Sequence, residues 1–443
     1  MKARVITFAV LLTAALVGHV VGLRLSPEYR ARVHEYEQGF LDFLVANSQD
    51  SFAKAVPETS SEVVFIDFRE EDKAEFEAWP PAPLDYIMLL KKLSPAEPSV
   101  LAFTEPLRWE GANAEFIQQL RVALLPVPSL ILGFDVSTEA IEMSPEQKEF
   151  LERGMPSFNE EGAGNPAAAT ASFKSITRLP DKVLRIGTEE MGIARVSSAA
   201  PAPATEGDKD KDRDKKQSAG SASFPFVAND GTHLVPSLAA QAVSRFRRMA
   251  SSELSLRFGQ GARLSLSDAH IVPLEEGGTM KLLKKPSVPT LDALGLFDPL
   301  ADEPTLAATA QTLGKGKVLV IGTGAVAASQ AQAIAQALAV PQLHRAPVWG
   351  DWAFAGAVAL FSLWQFHRGR IKALLAGVLL AALAAIVCML TFQSSLWWWS
   401  PASATVVLAT TTLFCFLWPY RKVIPVDEVG KDAPAVAEGS AAV

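Results

Sequence analysis

The chain has 443 residues, enough for two or three domains and a sizeable core. Hydrophobic residues make up 49% and charged residues 20%, against about 25% charged in soluble globular chains, so part of the chain is expected in lipid and a wholly disordered protein is excluded. The net charge of -7 gives no support to nucleic-acid binding, and two cysteines exclude a disulfide-stapled fold and a zinc site built on several thiolates.

Taken in chain order, the first apolar run is Val5 to Leu23, directly behind Lys2 and Arg4. It is longer than a usual signal core and no A-x-A-like site follows, so residues 1–23 are expected to be a signal anchor in preference to a cleaved signal peptide. Pro27 to Asn47 carries Val33, Tyr36, Phe40, Phe43 and Leu44 at helical spacing and predicts a stalk. Strands are expected at Val63–Phe68, Val100–Phe103 and Ser129–Phe134, with helices at Leu84–Leu93 and Ala112–Leu124 between them. This alternation predicts an α/β domain with a mixed, largely parallel sheet, and the nearly continuous apolar strands fit burial on both faces.

Residues 157–172 read as irregular, and Lys182–Ile186 as a strand with extended structure through Val196. Residues 199–220 alternate acids and bases with almost no apolar content and predict a disordered charged insertion. Order is expected again at Phe224–Val227. A helix is predicted at Pro236–Arg247, and strands at Leu254–Phe258 and Ala262–Leu266. Lys317–Ile321 predicts a buried strand that turns through Gly322-Thr323-Gly324 into a helix over about 325–338.

Three further apolar runs, Trp349–Phe366, Ile371–Phe392 and Ala402–Pro419, are each near the ~20 residues that cross a bilayer. Aromatic residues flank them: Trp349 and Trp352, Trp397 to Trp399, then Trp418 and Tyr420. The positive-inside rule sets one topology for four crossings. Lys2 and Arg4 are inside, residues 24–347 outside, His367-Arg368-Gly369-Arg370 inside, residues 393–400 outside, and Arg421-Lys422 inside. The expected layout is α-helical membrane segments, one N-terminal and three C-terminal (348–420), around an extracytoplasmic domain, with a short cytoplasmic tail at 421–443. Cys388 and Cys415 fall inside spans and read as apolar packing. Few charges lie within the spans, which argues against a transporter or pump.

No catalytic or metal-binding constellation stands out. Histidines 19, 34, 233, 270, 344 and 367 form no H-x-x-x-H or H-E-x-x-H pair, and neither a G-x-S-x-G elbow nor a phosphate loop is present. Gly322-Thr323-Gly324-Ala325-Val326-Ala327 matches the G-x-G-x-x-G/A dinucleotide pattern, but no second βαβ unit with a ribose-binding acid follows. A tight strand-to-helix turn is the better expectation there. Catalytic residues, metal and cofactor are all expected to be absent.

Several motifs carry a family resemblance. Val64-Phe65-Ile66-Asp67 is a strand ending in an acid, and Trp79-Pro80 precedes a helix. Gly192-Ile193-Ala194-Arg195 resembles the glycine-to-arginine turn of that family. Pro236-Ser237-Leu238 starts a helix, and Gly316-Lys317-Val318-Leu319-Val320-Ile321-Gly322 is a buried strand with its glycine. With the order of anchor, external domain and three spans, residues 25–420 resemble the second subtype of the CHASE family of extracytoplasmic sensory domains. The chain departs from that pattern at Pro83 and Leu84, where the family has a basic residue, and at Thr104, which precedes Glu105. Only about 20 residues follow Arg421, too few for a cyclase or kinase domain.

The resemblance implies a sensor in a bacterial inner membrane that passes a signal through its helices to a separate cytoplasmic protein. A non-signalling envelope scaffold is the alternative. Candidate ligand-binding residues are Asp67, Trp79, Glu105 and Arg195, because ligands of doubly wound sheets sit beyond the carboxyl ends of the strands. The structural alternative is that Asp67 caps a turn and Trp79 packs on the sheet. Expected partners are the lipid bilayer, a cytoplasmic signalling protein or envelope proteins, and a second copy of the chain through the small residues Ala373 to Ala385.

Overall fold

Val63–Asp67 (β1), Val100–Phe103 (β2) and Val318–Gly322 (β14) are the apolar runs that need cover on both faces. In the computed structural model they lie side by side and parallel, with β14 between β1 and β2. The structure describes residues 2–76, 78–154, 169, 171–186, 188, 190–197, 223–250, 253–267, 269–297, 309, 312–366 and 370–417. The expected disordered insertion at 199–220 and the cytoplasmic tail at 421–443 lie outside the described residues.

The chain divides into two units. One comprises Gln38–Arg345 and Met389–Trp398. Its seven-stranded sheet also holds Leu130–Ser137 (β3), Ser175–Arg178 (β4), Glu190–Ser197 (β5) and Thr290–Asp292 (β13). Strands β13, β1, β14, β2, β3 and β5 pair in parallel, and β4 pairs antiparallel to β3. A strand has two edges. Along one edge of β3, β2 takes Leu130–Leu132 and β4 takes Asp135–Ser137, while β5 takes Ile131–Ser137 on the other. So β4 continues where β2 stops, at the carboxyl end of the sheet.

Helices Pro83–Leu93 (α3) and Ala114–Leu124 (α4) cover one face. Their Tyr86, Leu89, Ile117 and Leu120 share a core with Val64, Ile66, Leu101, Phe103, Leu132 and Phe134. Helices Leu238–Phe246 (α5) and Gly324–Ala339 (α6) cover the other, with Ala239, Val243, Ala331 and Ile334 against Val63, Phe65, Val100, Ala102 and Val320. The expected α/β class with a largely parallel sheet is therefore present.

Two local expectations are corrected. Lys182–Arg185 is a helical turn, not a strand; its backbone closes on Asp181, and Leu184 alone of its residues is buried. Gly192–Arg195 is not a turn but lies inside extended β5. A side chain at Gly192 would sit 2.5 Å from the Leu238 Cα, so the glycine lets α5 cross close over the strand.

Beside the main sheet, Ser223–Pro225 (β6) pairs with Thr279–Lys281 (β12), and Val227–Asn229 (β7) with Leu234–Pro236 (β8). Ser255–Arg257 (β9), Arg263–Ser267 (β10) and His270–Pro273 (β11) form a three-stranded antiparallel sheet. Arg263, 1% exposed, ties this sheet to the Gln38–Ala46 end of the helix Pro27–Ala46 (α2). Its guanidinium donates to the Asp42 carboxylate and to Gln38 Oε1, and Arg257 adds a 3.3 Å contact to Asp42. Gly261 sits at φ +75° with the Asp42 carbonyl where a Cβ would be, so no other residue fits.

The second unit comprises Met1–Glu37, Ala346–Cys388 and Trp399–Val443. All four apolar runs are helical: Lys2–Leu25 (α1), Val348–Phe366 (α7), Arg370–Ser395 (α8) and Ala402–Leu417 (α9). Leu12, Ala355, Val358, Ala359 and Val407 pack together, and the Phe8 and Phe414 rings meet at 5.0 Å. Among the described residues, two helices are long and apolar enough to cross a membrane, Ile6–Leu25 and Leu374–Ser395. Three C-terminal helices form as expected, but one of them meets that measure. Asp351 and Gln365 interrupt the apolar run of α7, and the apolar stretch of α9, Ala402–Phe414, is shorter. Gly377, one of the small residues expected to serve a dimer, lies against Leu408 and Ser362 of its own chain.

Candidate functional site at the carboxyl ends of the strands

Glu105 leaves β2 just past Thr104, and Arg195 stands near the end of β5. The fold brings these two sequence candidates to 3.5 Å. Two residues that the sequence did not single out complete the group. Arg178, the last residue of β4, lies 3.7 Å from Glu105 and 3.8 Å from Asp135 of β3. Asp135 is in register with both arginines, Arg178 across one edge and Arg195 across the other. The register shifts on both sides of it, between Phe134 and Asp135 against β5 and between Asp135 and Val136 against β4. Such bulges re-aim side chains and commonly end regular pairing near functional sites.

Burial dominates the electrostatics. The Asp135 side chain is 7% exposed, and desolvation pushes its carboxyl up to about 7. The Arg195 and Arg178 guanidiniums pull it down, and Glu105 pushes it up further. The two arginine side chains remain 42% and 45% exposed. Both guanidiniums are held from one side by carboxylates at long distances while facing solvent on the other. This arrangement suits recognition of an anion.

A cavity of about 200 Å³ adjoins Arg195. Its apolar wall includes Ile193, Phe224, Val227 and Val326, and its polar residues are Ser237, Ser329 and Gln330. A larger open groove of about 930 Å³ runs past Arg108, Trp109, Glu146 and Arg185, where Arg185 and Arg108 already pair with Glu146. A third space of about 260 Å³, lined by Arg121, Glu190 and Arg245, includes Ser129 and Leu130 at the amino end of β3.

The other two candidates stand apart from the cluster. The Asp67 carboxylate accepts from the Gly324 amide at 3.2 Å, so it caps α6 from the neighbouring strand. That contact fills the amide that the G-x-G pattern could have offered to a phosphate. Burial raises the Asp67 pKa, against the opposing pull of the Gly324 hydrogen bond. Trp79, joined to Pro80 by a cis bond, is half-buried, with its ring 6.0 Å from that of Phe76. Among the described residues neither has a hydrogen bond or ion pair to Glu105 or Arg195. Among the described residues no group of three or more His, Cys, Asp or Glu side chains could hold a metal ion.

Asp135 and Arg178 carried little signal in the sequence. Asp135 sits inside an apolar strand, Leu130–Ser137, and a lone acid in such a run was the available clue. Arg178 belongs to a short strand whose place beside β3 depends on the whole sheet. Compared with family models, curated proteins and solved structures, the chain matches none of them.

Proposed function

We propose that the chain is a membrane-anchored sensor of the CHASE type, second subtype. Its α/β unit lies outside the membrane, binds a ligand at the Glu105–Asp135–Arg178–Arg195 cluster, and passes the change through α1, α7, α8 and α9 to a separate cytoplasmic protein. The observation that carries this reading is the cluster itself. Two half-exposed arginines stand near the carboxyl ends of parallel strands, where open α/β sheets place ligands, and one of them, Arg195, lines a cavity. The two apolar helices support membrane association, and the charges flanking the apolar runs support an extracytoplasmic domain. A ligand that prefers one arrangement of β3, β4 and β5 shifts the population of that arrangement.

The test is affinity purification from crosslinked native membranes with a tag on the C-terminus. Recovery of a kinase or cyclase is expected. Recovery of envelope-building or secretion proteins without any signalling enzyme overturns the sensor and favours the scaffold.

A further inference from the structure

The cavity beside Arg195 has an unusual division of labour. Its walls come from β5, the end of β6, the start of β7, the N-cap of α5 and the first turns of α6. Three of its four polar side chains are held by hydrogen bonds to the backbone. Ser237 Oγ accepts from the Ala240 amide at 3.2 Å, and Ser329 Oγ donates to the Ala325 carbonyl at 2.8 Å. Gln330 Nε2 donates to the Ala194 carbonyl at 2.7 Å, and its Oε1 accepts from the Ala239 amide at 3.1 Å. The fourth, Arg195, is held by one long contact alone. Among the described residues its one ion pair is the 3.5 Å contact to Glu105, and its side chain is 45% exposed.

A ligand in this space therefore meets apolar walls and one cation with donors to spare. Size narrows the choice further. A cavity of about 150 Å³ lined by apolar groups holds a benzene molecule, and this one offers about 200 Å³. We propose that the cavity binds a small monocarboxylate bearing one benzene-sized apolar group, with the ring or branched chain between β5 and α6 and the carboxylate on the Arg195 guanidinium. This deepens the sensor reading and rests on it for its biological meaning. Arg178 assists from the next position, since it holds Glu105 from the other side. When Asp135 keeps its proton, two guanidiniums face Glu105 alone and the cluster favours an added anion.

The test is titration calorimetry on the full chain in mild detergent, with benzoate as the probe. Benzamide, its neutral isostere, and acetate, which lacks the ring, serve as comparisons. Benzoate is expected to bind at one site, at least about tenfold more tightly than either comparison, a difference set by the charge and the buried ring. Arg195→Gln is expected to weaken benzoate about tenfold or more, with partial recovery in Arg195→Lys. Ser329→Phe, which fills the space from α6, is expected to abolish binding while the thermal melt of the protein is retained. Should Ser329→Phe fail to fold, Val326→Phe offers the same block from a more exposed position.

Benzoate binding that survives both Arg195→Gln and the blocking variant overturns the proposal, as does no binding at roughly 10 mM. The two readings fail separately. A signalling enzyme recovered by crosslinking with no benzoate binding removes the ligand class and leaves the sensor. Benzoate binding with only envelope proteins recovered leaves the cavity and removes the sensor.

Discussion

Two charge clusters in the α/β unit have nearly the same ingredients and opposite characters. Around Arg263, two arginines meet Asp42 and Gln38, and the central guanidinium is 1% exposed. Around Asp135, two arginines meet Asp135 and Glu105, but both guanidiniums are more than two-fifths exposed and their contacts run from 3.5 to 3.8 Å. The buried cluster surrounds a cation and closes on it. The open one surrounds a carboxyl group and leaves its cations facing water. A closed ion network joins elements together, whereas one with unused donors can take a ligand.

The largest expected effect breaks the closed cluster. Arg263→Ala leaves Asp42 without its main partner and is expected to cost about 3–5 kcal/mol of stability, read by denaturant unfolding of the full chain in detergent. The double variant Arg263→Met with Asp42→Leu is expected to regain most of that loss. A single variant as stable as the parent would mean that the network does not hold α2 to the three-stranded sheet.

Next in size is the pH response of the open cluster. The Asp135 carboxyl is raised from 3.8 to about 7, so the folded chain binds more protons than the unfolded chain between those values. Its contribution is complete below about pH 4 and is lost as pH rises through about 7. His270 has the opposite sign. Burial first, and then Arg247, lower it from 6.5 to about 4, so its contribution is present above 6.5 and lost as pH falls through about 4. Asp135→Asn should therefore gain about 1–4 kcal/mol at pH 8 relative to the parent. It should also remove the loss of stability as pH rises toward about 7, leaving His270 opposed by the raised carboxyls of Asp67 and Asp181. An unchanged pH profile in this variant would show that Asp135 ionises normally.

Smaller effects sharpen the contrast. Arg178→Ala removes a half-exposed cation that touches two acids, and a loss of about 1 kcal/mol is expected in the same unfolding assay. Arg195→Gln should cost less than about 1 kcal/mol, since its contact to Glu105 is long and solvated. A loss as large as that of Arg263→Ala at either position would place the open cluster with the structural one. Last, Asp67→Asn weakens the acceptor at the start of α6 and is expected to cost about 0.5–1.5 kcal/mol, visible as a lower melting temperature.

Much of the fold was legible residue by residue. β1, β2 and β14 announced themselves as short, continuous apolar runs, because a central parallel strand buries both faces. α4 and α5 followed from amphipathic spacing, and each begins at a side-chain cap, Asn113 or Ser237. The segment Lys182–Arg185 misled because four residues hold too little pattern to separate a strand from a turn of helix. Strands β11 to β13 also escaped notice; each has three or four residues, and β12 and β13 have partners distant in sequence. Half of the candidate site was legible, since Glu105 and Arg195 lie near strand ends. Asp67 also ends a strand, but its carboxylate caps α6, and Trp79 lies between β1 and α3 beside Phe76.

The sequence by itself determined the elements and the solvent each prefers: apolar helices long enough for lipid, and an α/β region with buried parallel strands. Local spacing carries that information because helix and strand periods act over a few residues. Tertiary structure alone decided which charges meet. Glu105, Asp135, Arg178 and Arg195 come from four chain segments, and only the edge rule of β3 sets β4 and β5 on either side of Asp135. Their contacts reflect pairing between strands, which no single stretch of chain encodes.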